Sequence, residues 1–185
     1  MKVIFLDHDG VICLQNNWGS RFTKQKDFYR GKDKPESKMD MSVNLRFDNF
    51  DTKAISVLNR VLEMSGAEIV CSSDWRYYAT LDEMKEYYLS QGIIKGPIDF
   101  TPKTHQIETE ELLENTFTNL ESERAFEIKY WLSNHPEVTH WVAVDDLNMT
   151  NEYYQKGLDN FVLTPKSLEG IKQTGIEKKI LNFLK

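Results

Sequence analysis

The sequence predicts an α/β fold in which helices cover both faces of a parallel central sheet. Three observations lead there. The runs KVIFL (2–6), AEIVCSS (67–73), THWVAVDD (139–146) and NFVLT (160–164) are apolar and rich in β-formers, as strands buried on both faces are. Between them lie segments with apolar residues at three- and four-residue spacing, the helical period. The two kinds of segment alternate along the chain, which implies β-α-β units.

Each element has its local reason. KVIFL ends abruptly in Asp7, His8, Asp9 and Gly10. Residues 13–50 are polar with little periodicity, and VNLRF (43–47) is the strand candidate there. DTKAISVLNRVLEMSG (51–66) reads as a helix: Asp51 or Thr52 can cap it, Ile55, Leu58, Val61 and Leu62 form its stripe, and Gly66 suits its end. The second strand runs out into Ser72 and Ser73. TLDEMKEYYLSQG (80–92) opens on a capping box, Thr80 with Glu83, and closes on Gly92.

Residues 93–123 are mixed, with a short helix expected over ETEELLENTF (108–117). ERAFEIKYWLSNHP (123–136) is a helix stopped by Pro136, and IEKKILNFLK (176–185) is a closing one. There is no internal repeat and no low-complexity linker. The chain therefore reads as one domain over residues 1–185, with 13–50 and 77–123 as small insertions.

Composition narrows the function classes. Eight Tyr, ten Phe and four Trp argue against disorder. A net charge of −6 does not suit a non-specific nucleic-acid binder. The charge is uneven, however: residues 21–38 hold seven Lys or Arg against three acids, +4, so the remainder carries −10. Such a segment is either a solvated loop or a contact for a phosphate-rich ligand.

Cys13 and Cys71 make no disulfide framework and lack metal-ligand spacing. The first apolar run is too short for a signal peptide's core, and none approaches the roughly 18 residues of a membrane span. A cytoplasmic protein with no membrane attachment is expected, and no protein partner is evident.

Open α/β sheets bind ligands at the carboxyl ends of their strands. Asp7 and Asp9, Ser72 and Ser73, and Asp145 and Asp146 each follow a strand. One Asp after a strand is an ordinary turn residue or helix cap. D-x-D-G, S-S and D-D in that order are harder to dismiss. Four converging carboxylates repel one another unless a hard cation neutralises them, and Mg²⁺ fits an oxygen donor set completed by phosphate.

VIFLDHDGVI resembles motif I of the haloacid-dehalogenase-like (HAD) hydrolases, and IVCSSDWR and WVAVDD resemble their second and fourth motifs. GAEIVCSSDWR, ERAFEIKYWL, WVAVDDLNM and NFVLT together look closest to the small HAD phosphatase domains of nucleic-acid repair proteins, of the polynucleotide kinase/phosphatase kind. The resemblance implies a Rossmann-like three-layer sandwich.

It also implies roles. Asp7 would be the nucleophile, forming an aspartyl-phosphate. Asp9 would be the general acid and then base, also offering Mg²⁺ its backbone carbonyl. Gly10 would turn the chain and bring backbone amides near the phosphate. Ser73 or Ser72 would bind the phosphoryl group, with Ser73 slightly ahead. Arg76 could reach a substrate phosphate or form a surface ion pair.

Motif III needs a cation before the paired aspartates. Arg124 lies on the stripe of Ala125, Ile128, Trp131 and Leu132, and is preferred to Lys129 on another face. Asp145 is favoured as the direct metal ligand, with Asp146 ligating through water or orienting Arg124, and Asn148 assisting. His8 should point away from the catalytic pair, in packing or at the surface.

HAD phosphatases owe much of their substrate choice to cap insertions. Residues 13–50 and 77–123 occupy the two cap positions and are short, which suggests an open site for large substrates. The basic segment, with Trp18, Phe22, Phe28 and Tyr29, could supply phosphate contacts and base stacking. The expectation is an Mg²⁺-dependent phosphomonoesterase for nucleotide or nucleic-acid phosphate ends. The alternatives are a small-molecule nucleotidase or sugar phosphatase, a phosphotransferase, and a catalytically idle HAD-fold binding module.

Overall fold

A computed structural model describes residues 1–107, 119–150 and 157–185. Five parallel strands form one sheet: β1 (Lys2–Leu6), β2 (Glu68–Cys71), β3 (Asp99–Phe100), β4 (His140–Asp145) and β5 (Phe161–Leu163), in the order β3-β2-β1-β4-β5. The four expected strands form. The two-residue edge strand β3 is additional, because DF carries no apolar run to announce it. The expected helix at 108–117 lies outside the described residues.

Side chains of each strand alternate between two apolar layers. Ile4, Leu6, Ile69, Val142, Val144 and Val162 face one, with α3 (Thr52–Ser65), α4 (Leu81–Ser90) and α6 (Ile176–Phe183) packed there. Val3, Phe5, Val70, Ala143 and Phe161 face the other, against Ala125, Ile128 and Trp131 of α5 (Leu120–Ser133). The result is a three-layer α/β/α sandwich. With apolar side chains on both faces, the strands could not show the alternating pattern of a half-exposed sheet.

The helix signals act as chemistry requires. Asp51 caps α3 by accepting from the Ala54 N–H at 2.8 Å, and Gly66 ends it at φ +67°. Thr80 and Glu83 form the reciprocal capping box of α4. Asn119 caps α5 through the Ser122 N–H at 2.9 Å, so this helix starts three residues before the expected Glu123.

The stretch after β1 departs from expectation. It carries α1 (Ser20–Phe28), and VNLRF forms the one-turn helix α2 (Val43–Arg46), not a strand. Arg46 explains the second. Its guanidinium pairs with Glu83 at the start of α4 and also donates to the carbonyls of Met39, Met41 and Tyr78. A buried cation with that many acceptors folds the chain around itself, and local β propensity yields to it.

Candidate active site

The sheet brings the chemistry to one edge. Leu6 is in register with Cys71, so Asp7 and Ser72 are the next residues on adjacent strands. The ladder continues one step further, with the Ser72 N–H donating to the Leu6 carbonyl at 3.0 Å and the Asp7 N–H to Val144 at 3.1 Å. Asp145 ends β4 on the other side of β1.

Asp7, Asp145 and Asp146 each present a carboxylate oxygen, and these atoms lie within 4.8 Å of one another. Arg124, near the start of α5, reaches into the group. Its Nη1 is 3.2 Å from Asp7 Oδ1 and 2.9 Å from Asp145 Oδ2, while Nη2 is 3.1 Å from Asp74 Oδ1. Asp7, Asp145 and Arg124 are buried, and Lys129 is exposed on another face of the helix.

The charges do not balance. Burial, and then the neighbouring Asp145, push the Asp7 carboxyl well above the usual carboxylate range, against the pull of Arg124. Burial and Asp145 together raise Asp146 to about 6. Burial also works against the charge on Arg124, yet Asp7 and Asp145 outweigh it and hold the guanidinium protonated. One guanidinium thus serves a cluster of carboxylates. Their oxygens are a donor set suited to a hard divalent cation, which would supply the missing positive charge.

Asp9 stands apart from this cluster. Its carboxylate accepts a 2.8 Å hydrogen bond from the Trp75 indole, and it remains open to solvent. Burial nevertheless raises its pKa, with the Trp75 bond acting in the opposite sense. Trp75 is itself fixed by stacking on Phe47, centroids 4.7 Å apart and planes 4° from parallel.

Gly10 acts through what it lacks. It has φ +70°, and a Cβ there would fall 2.4 Å from Asp146 Oδ2. Only glycine lets the β1 turn and the aspartate pair approach this closely. Its N–H donates to the Cys13 carbonyl, and those of Val11, Ile12 and Cys13 all donate to His8. The turn commits these amides to its own closure.

Other expected residues fall as follows. Ser73 Oγ accepts from the Trp75 N–H at 3.4 Å and starts a 3₁₀ turn, whereas Ser72, level with Asp7, has no side-chain hydrogen bond among the described residues. Arg76 is buried, paired with Glu127 on α5, and is therefore not a surface ion pair. Asp145 is the aspartate that orients Arg124, and its other oxygen accepts from the Leu147 N–H at 2.9 Å. Asp146 makes no salt bridge among the described residues, which leaves its carboxylate the more available of the two.

Asn148 bonds back to Thr150. His8 is fully buried on Tyr88, with its pKa lowered to about 3 by burial and by Arg124. Three contacts lie beyond the sequence reading: Asp74 on Arg124, Glu127 on Arg76, and the Trp75 indole on Asp9. Glu127 carried a signal, since an acid within a buried helical stripe calls for a buried cation opposite it.

A family model described as the HAD domain in Swiss Army Knife RNA repair proteins matches residues 3–174. The chain belongs to this family. The matched span begins at Val3, the second residue of β1, and contains the rest of the sheet and the carboxylates of the site. No curated protein and no solved structure matches. Membership of the HAD domain family points to a hydrolase. HAD domains typically use a divalent metal, and Asp7, Asp145 and Asp146 are a cluster able to hold one. Among the described residues of this HAD domain, no helix is long and apolar enough to cross a membrane.

Proposed function

We propose that this HAD domain is an Mg²⁺-dependent phosphomonoesterase acting on nucleotide or nucleic-acid terminal phosphates. One observation carries the reading: Asp7 is held between Arg124 and further carboxylates, with the separate, solvent-open Asp9 two residues on. A scaffold has no use for such an excess of buried negative charge. A site receiving a metal and a phosphoryl group does.

Asp7, Asp145, Asp146 and the Asp9 carbonyl would hold Mg²⁺, which supplies charge neutralisation for the phosphoryl oxygens and the nucleophile. An Asp7 carboxylate oxygen attacks phosphorus in line, and the bond to the leaving oxygen breaks. Asp9 gives that oxygen its proton, a task helped by a raised pKa. Asp9, now a carboxylate, takes a proton from water as the water attacks the aspartyl-phosphate. The bond to Asp7 breaks and inorganic phosphate leaves.

Arg124 is aimed at Asp7 and can pair with the phosphoryl oxygens in the fork geometry of a guanidinium. Ser72, uncommitted and level with Asp7, takes precedence over Ser73 as the phosphoryl-binding hydroxyl. The description of the family as an RNA repair domain supports a nucleic-acid end as substrate.

The test is phosphate release from an aryl phosphate and from 3′- and 5′-phosphorylated oligonucleotides, with Mg²⁺ and then with EDTA. Turnover should require Mg²⁺ and fall by about 10³-fold or more in Asp7→Asn. Equal rates in wild type and Asp7→Asn would exclude the aspartyl-phosphate route. A preference for sugar phosphates would exclude the substrate class.

A further inference from the structure

The basic segment that follows the first motif is not uniform. Lys26, Arg30, Lys32 and Lys34 are exposed, and Arg21 is neutralised by Asp48 at 2.7 Å. Lys38 differs. It is half-buried and makes no salt bridge among the described residues. Its Nζ lies over two aromatic rings, 4.0 Å from the centroid of Tyr78 and 4.9 Å from that of Phe47.

Those rings connect Lys38 to the chemistry. Phe47 stacks on Trp75, and Trp75 donates to Asp9. Lys38 is thus two ring contacts from Asp9, and it lies within electrostatic range of both Asp9 and Asp48. Burial lowers its pKa, and repulsion from Arg21 adds to the effect. An ammonium partly removed from water, held by quadrupoles and lacking a paired carboxylate among the described residues, can still take an anion.

Asp9, as general acid, faces the leaving group, so an anion held at Lys38, two ring contacts away, would belong to the leaving-group side. For a terminal phosphate on a strand, the next anion is the adjoining phosphodiester. A mononucleotide has none.

Resting on the phosphomonoesterase reading, we propose that Lys38 is a specificity-determining residue that binds the phosphodiester adjoining the scissile terminal phosphate. The preferred substrate is then a nucleic-acid strand end, and a mononucleotide is handled less well. Tyr78 and Phe47 hold the ammonium on the leaving-group side, and Lys24, half-buried over the Tyr87 ring at 5.5 Å, extends the basic track.

Binding and turnover test the two levels separately. Affinity for a phosphorylated single-stranded oligonucleotide is measured at several salt concentrations in the Asp7→Asn background, with Lys38 and with Lys38→Met. Methionine keeps an apolar stem over the rings, and Lys38→Arg keeps the charge. Lys38→Met should weaken binding roughly three- to tenfold at low salt and reduce the slope of log affinity against log salt by about 0.7. Lys38→Arg should restore most of both.

In the otherwise wild-type protein, Lys38→Met should lower kcat/KM for the oligonucleotide several-fold more than for the matching mononucleotide. Equal losses on the two substrates, or an unchanged salt slope, would overturn the assignment of Lys38. Lys38-dependent binding without phosphate release would instead overturn the phosphatase reading and leave the strand contact standing.

Discussion

Helix α5 carries two buried charge sites one turn apart, and they are built on opposite plans. At Arg76 and Glu127 a buried cation meets a buried anion, and the exposed Asp74 adds a longer contact to Arg76 at 3.5 Å. Glu127 Oε2 takes the guanidinium, and Oε1 accepts from the Thr104 N–H and hydroxyl, both at 3.0 Å. At Arg124 one cation meets Asp7 and Asp145 directly, with Asp146 and Asp9 adding to the field. In the first site the buried guanidinium has its own buried carboxylate, and that pairing fits it to hold α5 against the turn after β2. The second is left short of positive charge, and such a deficit is what a metal and a reacting phosphoryl group can use. Burial alone does not separate structure from function here. The charge count does.

Three measurements sharpen this contrast. The largest effect is expected at the balanced site. Glu127→Gln removes the buried anion from the Arg76 guanidinium and leaves it only the exposed Asp74 at 3.5 Å, and chemical denaturation should show a loss of about 3–5 kcal/mol. Replacing both partners by apolar residues of similar size should recover much of it. A loss below about 1 kcal/mol in the single variant would mean that the pair is not closed in solution.

The unbalanced site should respond to metal. With Mg²⁺ at about 100 times its dissociation constant, stability should rise by about 2.7 kcal/mol, and thermal melting should report the shift. Asp146→Asn should lose most of that gain. An equal gain in wild type and variant would place the metal elsewhere.

The smallest effect has the opposite sign to the first. Without metal, Asp7→Asn removes a desolvated carboxylate repelled by its neighbours, and should stabilise the fold, read as a higher melting temperature. The same substitution should blunt the response to Mg²⁺. A destabilised metal-free variant would show that Arg124 needs Asp7 more than Asp7 suffers from Asp145.

How far the residues alone could be read follows from these cases. The strand ends were legible because an apolar run stopping at Asp7, at Ser72 and at Asp145 is a local pattern. Arg124 was legible from its place on a helical stripe. The division of labour between Asp145 and Asp146 was not, because it depends on which carboxylate faces Arg124 across the sheet edge. That Ser72, and not Ser73, stands level with Asp7 needed the register of β1 on β2. VNLRF was misread because Arg46 folds around acceptors that include Glu83, 37 residues along the chain.

The sequence by itself determined the alternation of strand and helix, the caps of α3 and α4, the order of the carboxylates and the basic character of residues 21–38. Each is written in neighbours a few residues apart, where propensity and periodicity act. Only the tertiary structure decided which charges are balanced and which are left over. It turned Arg76 into a buried strut, gave Asp9 the Trp75 indole, and set Lys38 beside rings from two other segments. Those outcomes rest on contacts between distant parts of the chain, and a buried charge takes its meaning from the partners that folding brings to it.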